Sequence, residues 1–253
     1  MDFELIESAG LKKIDGYTSN VKTFFVKSLI AGLYLGVATI LAFTLGSMLY
    51  VMHPIAGSVG TAIFFGIAFV LIVFLNGELF TGNVFFTLFP VMSGKRKAMP
   101  LIPMWSLNYL GNALGAIFIL VLFIYSDAQA KYVHDYVKLV TLGKLSYSVS
   151  SVFIKSILCN FIVVIAGYAS VKVKEEMAKI VVMFLVVMTF VLPGLDHSIA
   201  NIGVYAMGYV LEGMDVHLMQ MIWYTFVSTI GNIIGGALLF AVPMYYILKP
   251  TKE

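Results

Sequence analysis

The chain has 253 residues, of which 60% are apolar and only 11% charged, and its formal net charge is +3. That composition excludes an ordinary soluble domain, and so slight a basic excess gives no electrostatic footprint for nucleic acid. A single cysteine, Cys159, excludes an intrachain disulfide and a cysteine ligand set for a metal; it reads as a buried, inert thiol.

Residues 1–25 form a mixed, charged segment with no apolar h-region, so it does not read as a cleavable signal peptide. Phe3, Ile6, Gly10, Lys13 and Ile14 make no clean stripe, but Leu5, Ile6, Ala9, Leu11 and Ile14 could cover one face. The segment is therefore expected to be a short interfacial or inter-subunit helix, with a partly frayed tail as the alternative. Residues 26–248 hold six apolar runs, near 26–51, 58–92, 101–125, 149–171, 177–210 and 218–247, each long enough to cross hydrocarbon. Residues 249–253 are a short polar tail. Of the Lys and Arg residues, only Lys131, Lys138 and Lys144 fall on the side opposite the N-terminus, with Lys155 at or in the fourth run. By the positive-inside rule this predicts a multi-pass cell (inner) membrane protein with both termini cytoplasmic. His53, His134 and His217 then fall in outer loops.

The second and fifth runs are too long for one plain span, and both contain a polar break. The first break reads Asn76-Gly77-Glu78-Leu79-Phe80-Thr81-Gly82-Asn83, and the second Gly194-Leu195-Asp196-His197-Ser198-Ile199-Ala200-Asn201. Each places an acid five residues before an Asn. Charge, amide and imidazole at bilayer depth cost several kcal/mol unless they line something polar. The two breaks are offset by 118 residues, and Gly111-Asn112 with Gly115 recurs 120 residues later as Gly231-Asn232 with Gly235. Lys27-Ser28 and Lys155-Ser156 open the first and fourth runs. Three spans per half is odd, so the halves must be inverted relative to one another. The expectation is an all-α polytopic protein of six transmembrane helices in an inverted 3+3 repeat, with helices two and five broken. The glycines allow close helix approach, and the amides of Asn112 and Asn232 tie the broken loops to their neighbours.

Half-helices that restart inside a membrane present free N–H groups and positive dipole ends, which suit an anion. Thr81 and Asn83, and Ser198 and Asn201, sit at those restarts. Glu78 and Asp196 are expected to turn inward and fix the breaks, Asp196 also orienting or charging His197. His197 is either a loop-stabilising group or a central donor to a permeant; its position in the break favours the second. Phe69, Phe80 and Phe190 flank the breaks and could form apolar collars that stop hydrated ions.

These residues resemble the formate/nitrite transporter family. The likeness rests on Glu-Leu-Phe-Thr-Gly-Asn at 78–83, Asp-His-Ser-x-x-Asn at 196–201 and Thr-Ile-Gly-Asn-Ile-Ile-Gly-Gly at 229–236, and spans most of the chain. The resemblance implies an aquaporin-like protomer, a homopentamer with one pore per protomer, and passage of small monovalent anions. His197 resembles the family's pore histidine, and Thr81 the threonine that faces it. Leu79 with Phe80 resembles the cytoplasmic constriction, and Phe69 with Phe190 the outer one. Asn160 resembles the asparagine near the histidine, and Lys144 the lysine that draws anions in. Asp196 stands where the formate and nitrite branches usually carry Glu, and Gly82-Asn83 where some formate channels have Ser and Thr. In both respects the chain looks closer to the hydrosulfide branch.

The expected function is a channel or transporter for hydrosulfide, formate or nitrite. The anion is dehydrated at aromatic constrictions and hydrogen-bonded or protonated by His197. The alternative is a neutral-solute pore of the water or glycerol type, but neither break carries Asn-Pro-Ala. No nucleophile elbow, zinc motif or phosphate loop points to an enzyme or pump, and no cofactor or metal is implied.

Overall fold

The computed structural model describes residues 2–212 and 218–250; His217 and Lys252 lie outside the described residues. Among the described residues all regular structure is helical. Helix α1 (Asp2–Ser19) precedes the long α2 (Val21–Met52). Helices α3 (Pro54–Phe65) and α4 (Ile67–Phe74) run to the first break, beyond which lie α5 (Phe80–Phe86) and α6 (Leu88–Met92). Next come α7 (Leu101–Tyr125), α8 (Ala130–Leu145), α9 (Val149–Lys172) and α10 (Glu176–Val191). After the second break α11 (Ser198–Glu212) leads to α12 (Leu218–Ile233), a π-helical stretch (Ile234–Ala241) and α13 (Val242–Leu248). Among the described residues, five apolar helical stretches are long enough to cross a membrane: 21–52, 54–74, 101–125, 149–172 and 218–248. The breaks are not placed alike. The first follows a helical stretch of 21 residues, whereas the second separates helices of 16 and 15 residues.

Close backbone approaches join α2 to α7, and α9 to α12 and the π-helical stretch that follows it. A Cβ at Gly115 would stand 2.1 Å from the Leu29 carbonyl oxygen, and one at Gly235 would stand 2.1 Å from that of Ile157. Likewise a Cβ at Gly111 or Gly231 would lie 2.6 Å from the Cβ of Ser28 or Ser156. Only glycine lets these backbones meet, because the obstructing atom is main chain or a Cβ fixed to it and cannot turn aside.

Helix α1 packs against its own chain through Phe3, Ile6, Glu7, Gly10 and Ile14, and Leu5 is left exposed. The apolar face expected from Leu5 and Leu11 is therefore corrected. Gly10 belongs to the buried stripe because it rides over the backbone of Phe86, whose carbonyl oxygen would be 2.1 Å from a Cβ there. Four ion pairs then tie α1 down: Lys172–Asp2 at 2.5 Å, Lys95–Glu7 at 2.5 Å, Arg96–Asp15 at 2.7 Å and Lys13–Glu78 at 2.7 Å. Helix α1 sits by the start of α2, where Tyr17 meets Phe24 edge-on, and α8 sits by its end, where Tyr136 packs on Phe43 and Tyr50. The two ends of the bundle are called the α1 face and the α8 face below.

Two predictions follow from this packing. Gly235→Ala must displace the α9 or the π-helical backbone, so it is expected to cost about 1–3 kcal/mol as overpacking does, read as a lower melting temperature in detergent. The α1 latch carries its own pH dependence. Hydrogen bonds from Lys172 and Tyr168 hold the Asp2 carboxyl below its usual value. Burial pushes Glu7 up, but hydrogen bonds from Lys95 and Ser93 outweigh it and leave this carboxyl low as well. A carboxylate depressed in the folded state stabilises above its unfolded pKa and stops doing so as pH falls through its folded one. Helix α1 is thus expected to stay docked at neutral pH and loosen only below about pH 4, seen as faster amide exchange over residues 2–19. Release near neutral pH would contradict it.

Candidate functional site

Each break begins with the same cap. Asn76 takes φ 57° and Gly194 φ 70°, both left-handed. Gly77 N–H donates to the Ile72 carbonyl at 2.8 Å, and Leu195 N–H to that of Phe190 at 3.0 Å. Asn76 N–H and Gly194 N–H reach the carbonyls of Val73 and Val191 at 3.4 and 3.0 Å. These are Schellman caps, which end a helix while satisfying its last carbonyls.

Each helix restart is held by one asparagine from the third helix of its half. Asn112 Oδ1 accepts from Phe80 N–H at 2.8 Å, while its Nδ2 donates to the carbonyls of Glu78 at 2.8 Å and Ser28 at 2.7 Å. Asn232 repeats this with Ser198 N–H at 2.8 Å and the carbonyls of Asp196 at 3.0 Å and Ser156 at 2.7 Å. Both amides are fully buried. Losing Asn232 would strand Ser198 N–H and the Asp196 carbonyl, and losing Asn112 would strand Phe80 N–H, each buried group costing about 1–3 kcal/mol.

The carboxylates are likewise matched. Glu78 Oε2 accepts from Asn83 Nδ2 at 3.0 Å and from Lys13 Nζ at 2.7 Å. Asp196 Oδ1 accepts from Asn201 Nδ2 at 2.8 Å and from Lys144 Nζ at 2.9 Å. So α1 supplies the cation on one face and α8 on the other. Around the first break Asn108 adds a further layer, accepting from Asn83 Nδ2 at 2.6 Å and donating to Ser28 Oγ at 2.9 Å and the Glu78 carbonyl at 2.7 Å. Its counterpart 120 residues on is Ser228, which accepts from Ser156 Oγ at 3.0 Å. Sequence reasoning missed Asn108 and the role of Lys13. Nothing separated Asn108 from other span-three polar residues, and Lys13 looked like one more cytoplasmic charge.

His197 lies where the two halves meet. Its Nε2 is 3.0 Å from Thr81 Oγ1. Its Nδ1 accepts from Ala200 N–H at 3.3 Å and so caps α11. With Nδ1 taken as an acceptor, the ring proton belongs on Nε2, which donates to Thr81. Asn160 Nδ2 donates to the carbonyls of Thr81 at 3.3 Å and Asn232 at 2.7 Å. The π-helical stretch begins just beyond that Asn232 carbonyl. Asn160 Oδ1, Ser198 Oγ and Asp196 Oδ2 are buried polar atoms with no partner among the described residues.

Two cavities meet at this imidazole. On the α8 face a vestibule of about 210 Å³ is lined by Phe65, Tyr136, Lys144, Phe190, His197 and Asn201, among others. Deeper lies a gap of about 10 Å³ lined by Phe65, Phe69, Ile72, Leu79, Phe190 and His197, among others. That space holds about one water molecule. Phe65 and Phe190 line both cavities and meet edge to face at 6.5 Å, while the imidazole stacks on Phe190 at 6.1 Å. Phe69 lines the gap together with Phe190, and Phe65, which the expected collar left out, meets Phe190 at the neck. Phe65 and Phe69 share a helix face, so spacing alone could not choose between them. Phe80 lines neither cavity; its ring packs edge-on against Tyr109 at 5.2 Å. No cluster of three or more His, Cys, Asp or Glu that could hold a metal occurs among the described residues.

The clamp predicts that Asn232→Ala is destabilised by about 2–4 kcal/mol, since Ser198 N–H and the Asp196 carbonyl lose their partner. Asn232→Asp sets a buried carboxylate oxygen against the carbonyls of Asp196 and Ser156 and should be at least as destabilised as Ala. Denaturation in detergent that ranks Asp above Ala would sink the assignment of Nδ2 as the donor to those carbonyls.

The family model described as formate/nitrite transporter matches residues 2–246. Among similar proteins, the uncharacterized transporter YwcJ of Bacillus subtilis is 29% identical, with 98% of this chain and 97% of that protein aligned. The nitrite transporter NirC of Escherichia coli is also 29% identical, over 90% of this chain and 84% of its own length. A solved FNT family ion channel superposes with TM-score 0.89 at 25% identity, covering 97% of this chain and 98% of that one. A pentameric formate channel with formate bound shares the fold, with TM-score 0.77 at 22% identity over 89% of this chain and 96% of its own.

Proposed function

The chain belongs to the formate/nitrite transporter family, a family of membrane transport proteins, and on that premise we propose that it carries small monovalent anions (formate, nitrite or hydrosulfide) past His197. The observation that carries this reading is an N–H donor, His197 Nε2 against Thr81 Oγ1, placed between a wide vestibule and a gap the size of one water. Six spans in an inverted 3+3 repeat, an aquaporin-like protomer and a homopentamer in the cell membrane complete the reading, with the α1 face cytoplasmic. The repeated caps, clamps and carboxylate–lysine pairs support the inversion. The pentamer is suggested by the pentameric formate channel of the same fold.

Lys144 gives one of its three N–H donors to Asp196 and keeps two for an anion in the vestibule. At Phe65 and Phe190 a hydrated ion is too large, and apolar walls return none of the hydrogen bonds it loses. A bare anion there would cost far more than a neutral acid. The permeant therefore crosses the neck as its conjugate acid and takes its proton from vestibule water. His197 does not supply that proton: Nδ1 already accepts from Ala200, and giving up Nε2–H would leave an imidazolate. The imidazole instead turns its one N–H from Thr81 Oγ1 to the dehydrated permeant, with the freed Thr81 hydroxyl, Asn160 Oδ1 and Ser198 Oγ as further polar groups. Passage beside Phe69 and Leu79 leads toward Lys13 on the far face. Asp196, where the formate and nitrite branches usually carry Glu, favours hydrosulfide among the three.

Proteoliposome uptake of formate, nitrite and hydrosulfide at matched gradients tests the reading. Flux at fixed total anion should rise up to about tenfold per unit of falling external pH, as the acid form does. His197→Ala should lower flux by about 100-fold or more, the scale of a lost hydrogen bond to a permeant stranded in an apolar neck. His197→Gln, which keeps a donor but cannot titrate, should retain measurable flux with the same pH slope. A folded Gln variant as inactive as Ala would overturn the hydrogen-bonding role. Lys144→Ala should raise the half-saturating concentration about tenfold with little change in maximal flux, as loss of one charge-assisted contact does.

A further inference from the structure

The vestibule is far larger than its floor requires. Formate, nitrite and hydrosulfide are ions of one to three heavy atoms, yet the space above the neck is about 210 Å³. Most of its wall is aromatic or branched aliphatic: Phe43, Phe65, Tyr136, Val140, Phe190 and Val204. A funnel meant only to keep an ion hydrated would be polar throughout. The polar groups here are few and gathered. Lys144 keeps two open N–H donors, and Thr61 and Tyr136 share a hydroxyl–hydroxyl bond of 2.7 Å. Tyr136 also donates to the Gly57 carbonyl at 3.4 Å, which fixes its ring as a wall. An apolar cavity of about 150 Å³ is enough to hold benzene. A mostly apolar pocket with one convergent cation is the usual form of a small-molecule site.

We propose that the vestibule is a binding site for carboxylates bearing an aryl or branched-alkyl group of benzoate size, and that such a ligand plugs the pathway from the α8 face. The carboxylate pairs with Lys144 and the ring lies against Phe43, Tyr136 and Val204. The ligand stops there, because the gap beyond Phe65 and Phe190 is about 10 Å³. This rests on reading the vestibule as the mouth of an anion pathway, and it adds a regulatory ligand class which that pathway excludes by size.

Two measurements test it together: formate uptake into proteoliposomes with benzoate outside, and equilibrium dialysis of labelled benzoate against the purified protein. Benzoate is expected to block uptake at concentrations about tenfold or more below those needed for acetate or for neutral benzamide, since acetate lacks the ring and benzamide the charge. Val140→Trp, which fills vestibule space, should weaken benzoate binding about tenfold by the same loss of space, while elution in detergent at the parent's assembly size shows that the variant is folded. Ser58→Trp, filling the vestibule from α3, serves the same purpose if Val140→Trp does not assemble. Labelled benzoate that crosses the bilayer through the protein, or formate uptake untouched by benzoate with none bound in dialysis, overturns the proposal and leaves the anion pathway standing. If no small anion is carried but dialysis still shows benzoate bound and lost in Val140→Trp, the transport reading fails and the site stands.

Discussion

A backbone that stops being helical inside a membrane must find partners for its N–H and C=O groups within the protein, because hydrocarbon offers none. Everything distinctive in this fold follows from how two breaks meet that constraint. Schellman caps at Asn76 and Gly194 close the incoming helices. The amides of Asn112 and Asn232 then serve the groups that remain, each bonding the first N–H of the restarting helix and the carbonyl two residues before it. The same amides also reach carbonyls on α2 and α9, at Ser28 and Ser156. That reach is short, and it exists only because Gly111, Gly115, Gly231 and Gly235 let the helix backbones come close. Glycine contact and asparagine clamp are therefore one device: without the first the second cannot span three segments.

The two breaks are capped and clamped alike, but their chemistry differs. At the 118-residue offset the partner of His197 is Leu79, and the partner of Ser198 is Phe80. One break contributes an imidazole and a hydroxyl where the other contributes two apolar side chains. The first half supplies Thr81 Oγ1 for the imidazole to meet. A symmetric pair of histidines would place two titratable rings in one small space, with every bond shared between them. A single imidazole with its Nδ1 occupied by Ala200 has one N–H direction, which makes the polar centre a defined donor. The additional amide of Asn108, against only Ser228 in the other half, stiffens the break that carries no such donor.

Legibility in the sequence follows the physics of each feature. The breaks stood out because acid, amide and imidazole are costly among apolar runs, so their presence demanded a reason. The clamps were suggested by Gly-Asn recurring at a fixed offset. Phe65 did not stand out, because it shares a helix face with Phe69 and the neck is set by the tilt and depth of packed helices. Lys13 was hidden for the opposite reason. Basic residues are expected at the N-terminal side on topological grounds, so a lysine bound to a buried carboxylate looks like any other. The π-helical stretch after Ile233 has no local signature; within it Gly236 lies so close to Asn160 of α9 that a Cβ would stand 2.4 Å from its Nδ2.

The lysine–carboxylate pairs show how a pathway can attract anions without holding them. A lone half-buried lysine at the floor of a vestibule would bind an anion through an unscreened charge in a low-dielectric setting, and release would be slow. Asp196 tempers this. Its carboxylate, nearly fully buried at 2.9 Å from Lys144 Nζ, offsets most of the field at a distance while leaving two N–H donors for close contact. Glu78 does the same for Lys13 on the other face at 2.7 Å. Each end then offers hydrogen bonds with little net charge, which suits a species that must arrive as an anion, cross as an acid and leave again. On the proposed reading, the acids that fix the breaks also set how tightly each mouth holds its anion, so a substitution at Glu78 or Asp196 would alter the break and the mouth together.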